Sequence, residues 1–295
     1  MAKRYDFVVI GGGLVGCMVC LSISSKNKSV CLIEKNSINK IISDDYSPLS
    51  LSINSVNFLK EKNIWDENLI KSNLIESLYI KLFNSFNTIK ISTSDINLES
   101  IGEVVDKVSF LSHLRNLCKK KKNIDVMDNT ELDINQLESL SKIYLPNESK
   151  ALDFGQLIVT DGTNSKFAEK LNIPYKNINY DQTSYIFNSE YDSMEKSAAQ
   201  IFTDKGVFAV LPGNGNKKSI VATIHNKFID DFKFESNTVN RNLLESQLLP
   251  YIKNLKNLKL IYKHPLNTAR LDNWFFKVYL FLGNSSQLLH RFGAH

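Results

Sequence analysis

Long hydrophobic runs are missing from this sequence of 295 residues. No window of about eighteen apolar residues occurs, so no helix is expected to cross a membrane. Met1 to Arg4 lead straight into a candidate strand rather than a signal-peptide pattern, and the expected location is the cytoplasm. Cysteine is scarce: four thiols argue against a disulfide framework. The pair Cys17-x-x-Cys20 has the spacing of a redox or zinc pair. It lies in a candidate helix with no matching second pair, and small apolar packing is the expectation there. Charge of one sign is lacking too. The 36 Lys and Arg against 31 Asp and Glu leave only +5, spread along the chain, and no nucleic-acid partner is expected. The one basic run, Lys119–Lys122, reads as a solvated helix end, with a phosphate or lipid-headgroup patch as the alternative. What is present, 43% hydrophobic and 23% charged residues, excludes disordered and collagen-like classes and allows a large core in one or two domains.

The informative stretch is "YDFVVIGGGLVGCMVCLSISSKNKSVCLIEKN", which begins at Tyr5. Tyr5 to Ile10 is an apolar run suited to a strand buried on both faces, and the glycines break it into a helix start. Each glycine has a steric reason: Gly11 for the tight turn, Gly13 for backbone approach to a pyrophosphate, Gly16 for close helix packing. An anion would sit at the helix N-terminus beside Leu14 and Val15. A second strand, Ser29 to Ile33, ends in Glu34, about twenty residues beyond the glycines, where a carboxylate can accept both ribose hydroxyls. The order predicts adenine dinucleotide binding. It does not separate FAD from NAD.

Downstream, Leu78 to Thr93 reads as two strands, where a simple NAD dehydrogenase would continue its βαβ alternation. Lys107 to Cys118 has helical patterning. Asp153 to Val159 is a strand ending in Thr160-Asp161-Gly162, which reads either as a turn or as a contact for a cofactor's phosphate or ribityl groups. Tyr180 to His225 alternates as an antiparallel sheet. Val278 to Leu282 delivers Gly283-Asn284-Ser285-Ser286 at its carboxyl end, where ligands of open α/β sheets bind.

Taken together, "VIGGGLVG" with Glu34, "SLSINSVNFLKEKNIWDE", "IGEVVDKVSFLSHL", "TDGTNSKFAEKLNIPYKNINYDQTSYIFN", "FTDKGVFAVLP" and "GNSSQLLH" resemble the FAD-dependent hydroxylases of ubiquinone biosynthesis. The similarity is greatest to the 2-polyprenyl-6-methoxyphenol hydroxylases, in the p-hydroxybenzoate hydroxylase-like group of flavoprotein monooxygenases. The resemblance implies an α/β fold: a Rossmann-like FAD-binding domain (residues 1–72, 98–178 and 264–295) with an inserted antiparallel-sheet substrate domain (73–97 and 179–263). It implies FAD as cofactor, NAD(P)H as electron donor and O2 as co-substrate, with a flavin C4a-hydroperoxide hydroxylating a polyprenyl phenol. Gly11, Gly13, Leu14, Val15, Gly16, Glu34, Asp161, Gly162, Gly283 and Asn284 would contact FAD. Phe208, Val210, Leu211 and Pro212 would line the ring chamber, although core packing explains the same residues equally well. No catalytic side chain is implied, because the flavin carries the chemistry, and no metal. His225 and His264 are candidates for phenol contact or structural histidines. The implied partners are the phenol, other proteins of ubiquinone biosynthesis and a peripheral contact with the inner membrane.

Three departures from the family pattern stand out. Its Asp-x-Arg-x-x-Ala-Leu reads Asp45-Tyr46-Ser47-Pro48-Leu49-Ser50-Leu51, with Ser47 in place of an arginine expected near the flavin. The Pro after the terminal motif's His is Arg291. The family also continues beyond the position of His295, so the expectation is a chain lacking the C-terminal part of its FAD domain. Two other readings remain: an inactive scaffold subunit or gene fragment of the same pathway and, from the glycine motif alone, an NAD-dependent dehydrogenase.

Overall fold

A computed structural model describes residues 3–24, 28–40, 46–83, 85, 87–132, 142–145, 151–192, 195–213, 218–234 and 239–289. Asp45 and Arg291 lie outside them. The chain divides into two compact units, one of Met1–Ile42, Phe110–Ile178 and Asn267–Leu289, the other of Ser43–Ser109 and Asn179–Leu266.

The first unit is built on a mostly parallel sheet. Its strands are β1 (Arg4–Ile10), β2 (Val30–Ile33), β8 (Ile124–Met127), β9 (Lys142–Tyr144), β10 (Ala151–Val159), β16 (Phe275–Phe276) and β17 (Tyr279–Phe281). They run in the order β16-β17-β10-β1-β2-β8, with β9 paired to β10. β2 is buried along its whole length, and Val8, Val9, Leu157 and Val159 have no exposed surface, as parallel strands covered on both faces require. Helix α1 (Leu14–Ile23) returns the chain from β1 to β2, and α4 (Lys107–Lys120) lies beside α1, with Cys118 Sγ donating to the Cys17 carbonyl at 3.7 Å. Lys119–Lys122, at and after the end of α4, are exposed as expected of a solvated helix end. Cys17, Cys20, Cys31 and Cys118 are free and buried. On the other face, α5 (Lys166–Lys170) adds Phe167 and Ala168 to a core with Tyr5, Val8, Ile10, Phe154 and Tyr279. β18 (Gln287–Leu288) closes the unit against Ala269 and Arg270.

The second unit is dominated by antiparallel pairing. It contains β3 (Pro48–Ser52), β4 (Ser72–Ile75), β5 (Ser77–Lys81), β6 (Thr88–Ser92), β7 (Gly102–Asp106), β12 (Ser197–Phe202), β13 (Gly206–Leu211) and β14 (Lys218–His225), with most of β11 (Tyr175–Asp192) and β15 (Lys253–Leu271). Its main sheet runs β15-β11-β14-β13-β12-β5-β6, and a smaller one runs β3-β7-β4. The helices are α2 (Ile53–Glu61), α3 (Thr93–Ile96), α6 (Ile229–Phe232) and α7 (Arg241–Leu248). Phe232 and Leu244 and Leu248 of the last two meet Tyr185, Phe187 and Phe208 of the sheet in one core, where Phe234 stands edge-on to Tyr185 and Phe187 with centroids 5.0 and 4.9 Å away. Residues 46–72 and 98–109 group with this unit. Within it β3 and β4 both hydrogen bond to β7, a pairing that local periodicity does not reveal.

Candidate dinucleotide site

Four strands of the first unit end level with one another. Ile10 pairs with Ile33 on one side and Val159 on the other, and Val159 pairs with Phe281. The ladder continues one residue further, with Gly11 N donating to Ile33 O at 2.8 Å, Thr160 N to Ile10 O at 2.8 Å and Leu282 N to Val159 O at 3.0 Å. The glycine loop, Glu34, Thr160-Asp161-Gly162 and Gly283-Asn284 therefore emerge along one carboxyl edge, the usual position of ligands in parallel α/β sheets.

The glycines are explained by contacts. Gly11 has φ +101°, and a Cβ there would stand 2.5 Å from the Thr160 carbonyl oxygen. At Gly16 a Cβ would stand 1.9 Å from the Gly11 carbonyl oxygen, so the helix packs on the loop's backbone. At Gly13 a Cβ would meet nothing within 4 Å, so this backbone faces open space. Gly13 is also the N-cap of α1, which has no side-chain cap and no acidic residue in its first turn. The first-turn N–H groups beside Leu14 and Val15 thus receive no capping side chain from the N-cap, and they lie at the positive end of the helix dipole. This suits an anionic group such as a diphosphate.

Glu34 is 8% exposed. Its Oε2 accepts from Gly12 N at 2.6 Å and its Oε1 from Asn36 N at 2.9 Å. A buried carboxylate held by two backbone donors keeps lone pairs available for ribose hydroxyls. Asp161 accepts from Ser165 Oγ at 2.9 Å, and Ser165 caps α5. Desolvation by neighbouring groups holds the Asp161 carboxyl above its ordinary value, outweighing the Ser165 hydrogen bond. Gly162 has φ +92° and open space around it. Gly283 has φ +64° and packs on Val15, where a Cβ would stand 2.9 Å from Val15 Cγ2; Asn284 beside it is exposed. Ser285, fully buried, donates to Val159 O at 2.6 Å and so ties this turn to β10.

Thr160 has a role beyond the turn that the sequence suggests, and Arg115 escaped the sequence reading. Thr160 Oγ1 donates to Ile10 O at 2.7 Å, fastening β10 to the glycine loop. Arg115, 8% exposed, donates from Nε to Gly12 O at 3.0 Å. The available signal was its place on the stripe Phe110, Leu111, Leu114 and Cys118, a charge on an otherwise apolar helix face.

The four residues expected around a ring chamber do not share a surface. Phe208 and Val210 face the core beneath α6 and α7, where Phe208 packs 5.8 Å from the Phe232 ring, and this packing, not an open chamber, accounts for them. Leu211 points to the opposite face with Val104 and Ala198, and Pro212 is half-buried after it. His225, on β14, is within 3.2 Å of Gln182 Nε2, and His264, on β15, stacks on Tyr262. Among the described residues no group of His, Cys, Asp or Glu could hold a metal, and no helix is long and apolar enough to cross a membrane.

Comparison with known proteins points the same way. A family model described as Glucose inhibited division protein A matches residues 6–259. The mitochondrial ubiquinone biosynthesis monooxygenase COQ6 of Caenorhabditis elegans is 27% identical over 231 residues, covering 72% of this chain and 50% of that protein. The chain thus spans about half the length of this curated relative. Among solved structures, PqsL of Pseudomonas aeruginosa, described as a probable FAD-dependent monooxygenase, superposes with a TM-score of 0.73 at 12% identity, over 98% of this chain and 80% of that one. The p-nitrophenol 4-monooxygenase PnpA of Pseudomonas putida DLL-E4 gives 0.72 at 12% identity, over 97% and 74%. At such identity the likeness carries the fold alone, the mixed α/β fold shared with these two monooxygenases.

Proposed function

The chain belongs to the glucose inhibited division protein A family; we propose that it is an FAD-dependent monooxygenase that hydroxylates the ring of a polyprenyl phenol in ubiquinone biosynthesis. The observation that carries this reading is the convergence of the glycine loop, Thr160-Asp161-Gly162 and Gly283-Asn284 on one sheet edge, with Gly283 seated on Val15 of α1. A plain nicotinamide site would be served by the glycine loop and Glu34 alone. The substrate class rests on the name of the COQ6 relative.

In this reading the first unit is the FAD domain and the second the substrate domain. Gly11, Gly13 and Gly16 shape the loop, and the N–H groups beside Leu14 and Val15 receive the diphosphate. Glu34 accepts the adenosine ribose hydroxyls. Asp161, Gly162, Gly283 and Asn284 hold the ribityl and flavin end. The chemistry FAD supplies when bound is reduction by NAD(P)H and transfer of one oxygen atom from O2 to an electron-rich ring. Pro212, half-buried just after β13, is the residue of that set left for ring contact. A prenylated substrate brings the protein to a membrane surface or to other proteins of the pathway.

The test is turnover under 18O2 with FAD, NAD(P)H and a prenylated phenol. The reading expects one labelled oxygen in the ring and NAD(P)H oxidation that depends on the phenol. Bound FAD without labelled product, together with co-purification of pathway proteins, would favour the scaffold role instead.

A further inference from the structure

The guanidinium of Arg115 is buried, yet among the described residues no carboxylate forms an ion pair with it. Its two hydrogen bonds run to backbone carbonyls, Nε to Gly12 O at 3.0 Å and Nη1 to Ile38 O at 3.2 Å. A buried charge hydrogen bonded to carbonyl dipoles, with the Glu34 carboxylate bound to Gly12 N rather than directly to it, is incompletely compensated, and a further anion nearby lowers its cost.

The carbonyls it holds belong to the two segments that frame the strand-end site. Gly12 is gripped from both sides: its N–H donates to Glu34 Oε2 at 2.6 Å, and its carbonyl accepts from Arg115. Ile38 closes the turn after Glu34, with its own N–H donating to Asp128 Oδ2 at 2.8 Å. One planar side chain therefore fixes the spacing between the glycine loop and the turn that carries the ribose-binding carboxylate. A lysine would bring the charge but not the fork that reaches both carbonyls.

We propose that Arg115 is a positioning residue for the dinucleotide: it holds the glycine loop and the Glu34 turn in register from behind and supplies the positive charge that a diphosphate completes. The proposal rests on the reading of this edge as a dinucleotide site. Arg115 acts through Gly12 and through its field rather than on the flavin.

The experiment is calorimetric titration of the purified chain, wild type and the variants Arg115→Met and Arg115→Lys, with ADP and with FAD at low and at moderate salt. Charge attraction is screened by salt, whereas a merely structural clamp leaves the salt dependence alone. Arg115→Met is expected to weaken ADP and FAD by about 10-fold or more and to flatten the salt dependence of ADP binding. Arg115→Lys is expected to keep the salt dependence while regaining only part of the affinity. A folded Arg115→Met chain with wild-type affinity, or one whose weaker binding keeps the wild-type salt dependence, would overturn the proposal. Should that variant not fold, Arg115→Lys decides: wild-type affinity overturns the need for the fork. A wild-type chain that binds neither ADP nor FAD would instead overturn the dinucleotide reading on which the proposal stands.

Discussion

Gly16 lies so close to Gly11 that a Cβ on the first would stand 1.9 Å from the carbonyl oxygen of the second, and 2.7 Å from Thr160 Oγ1. The helix start, the glycine turn and the end of β10 are thus packed backbone to backbone, and their geometry is fixed by the absence of side chains.

Gly16→Ala must push α1 off the loop. Overpacking of this kind costs about 1–3 kcal/mol, and the displaced helix N-terminus should no longer present its N–H groups to a diphosphate. Urea unfolding should give a lower midpoint, and FAD titration a loss of binding larger than the loss of stability accounts for.

Glu34→Gln keeps the side-chain shape but replaces an ionised acceptor by a neutral one. The bonds from Gly12 and to ribose both weaken, and hydrogen bonds to a charged group are worth about 1.5–3 kcal/mol. ADP affinity is expected to fall about 10-fold or more, while riboflavin, which has no adenosine, should bind as it does to the wild type.

The pH dependence of stability should carry a signature of Asp161. Its carboxyl is raised above the ordinary value by desolvation, so the folded chain holds this proton more tightly than the unfolded one. The ionised form therefore costs stability above the raised value, and the cost disappears as pH falls through that value towards the unfolded one. Asp161→Asn is expected to be at least as stable as wild type at neutral pH, with the advantage vanishing in acid. A less stable variant at neutral pH would mean that the Ser165 hydrogen bond outweighs the desolvation.

The thiols should be inert in the folded chain. Burial pushes Cys31 up to about 12 and raises Cys20 as well, while the hydrogen bond with Cys118 and, after it, burial raise Cys17. Thiolate is the reactive form and appears only as pH rises to those values. A thiol reagent at mildly alkaline pH should modify none of the four without denaturant and all four with it. Rapid native labelling of Cys17 and Cys20 would revive the redox-pair reading of their spacing.

The opening element was legible in the sequence because its physics is local: a buried strand, glycines forced by contacts a few residues away, and a carboxylate at the next strand's end. The ends of β10 and β17 were legible for the same reason. Arg115 was not, since a charge on an apolar helix stripe becomes informative only once Gly12 and Ile38 are seen beside it. β13 misled in another way. All six of its residues are buried, so alternation could not say which face meets a ligand, and Phe208 and Val210 turned out to serve the core. The β3-β7-β4 sheet depends on pairing between segments far apart in the chain, which no local pattern records.

The central claim, that this sheet edge is an FAD site, is tested most directly by mixing the purified chain with FAD, removing the excess and recording the visible spectrum beside far-ultraviolet circular dichroism. The account predicts a folded yellow protein that carries one FAD per chain and loses it in Gly16→Ala. A folded but colourless protein would contradict it.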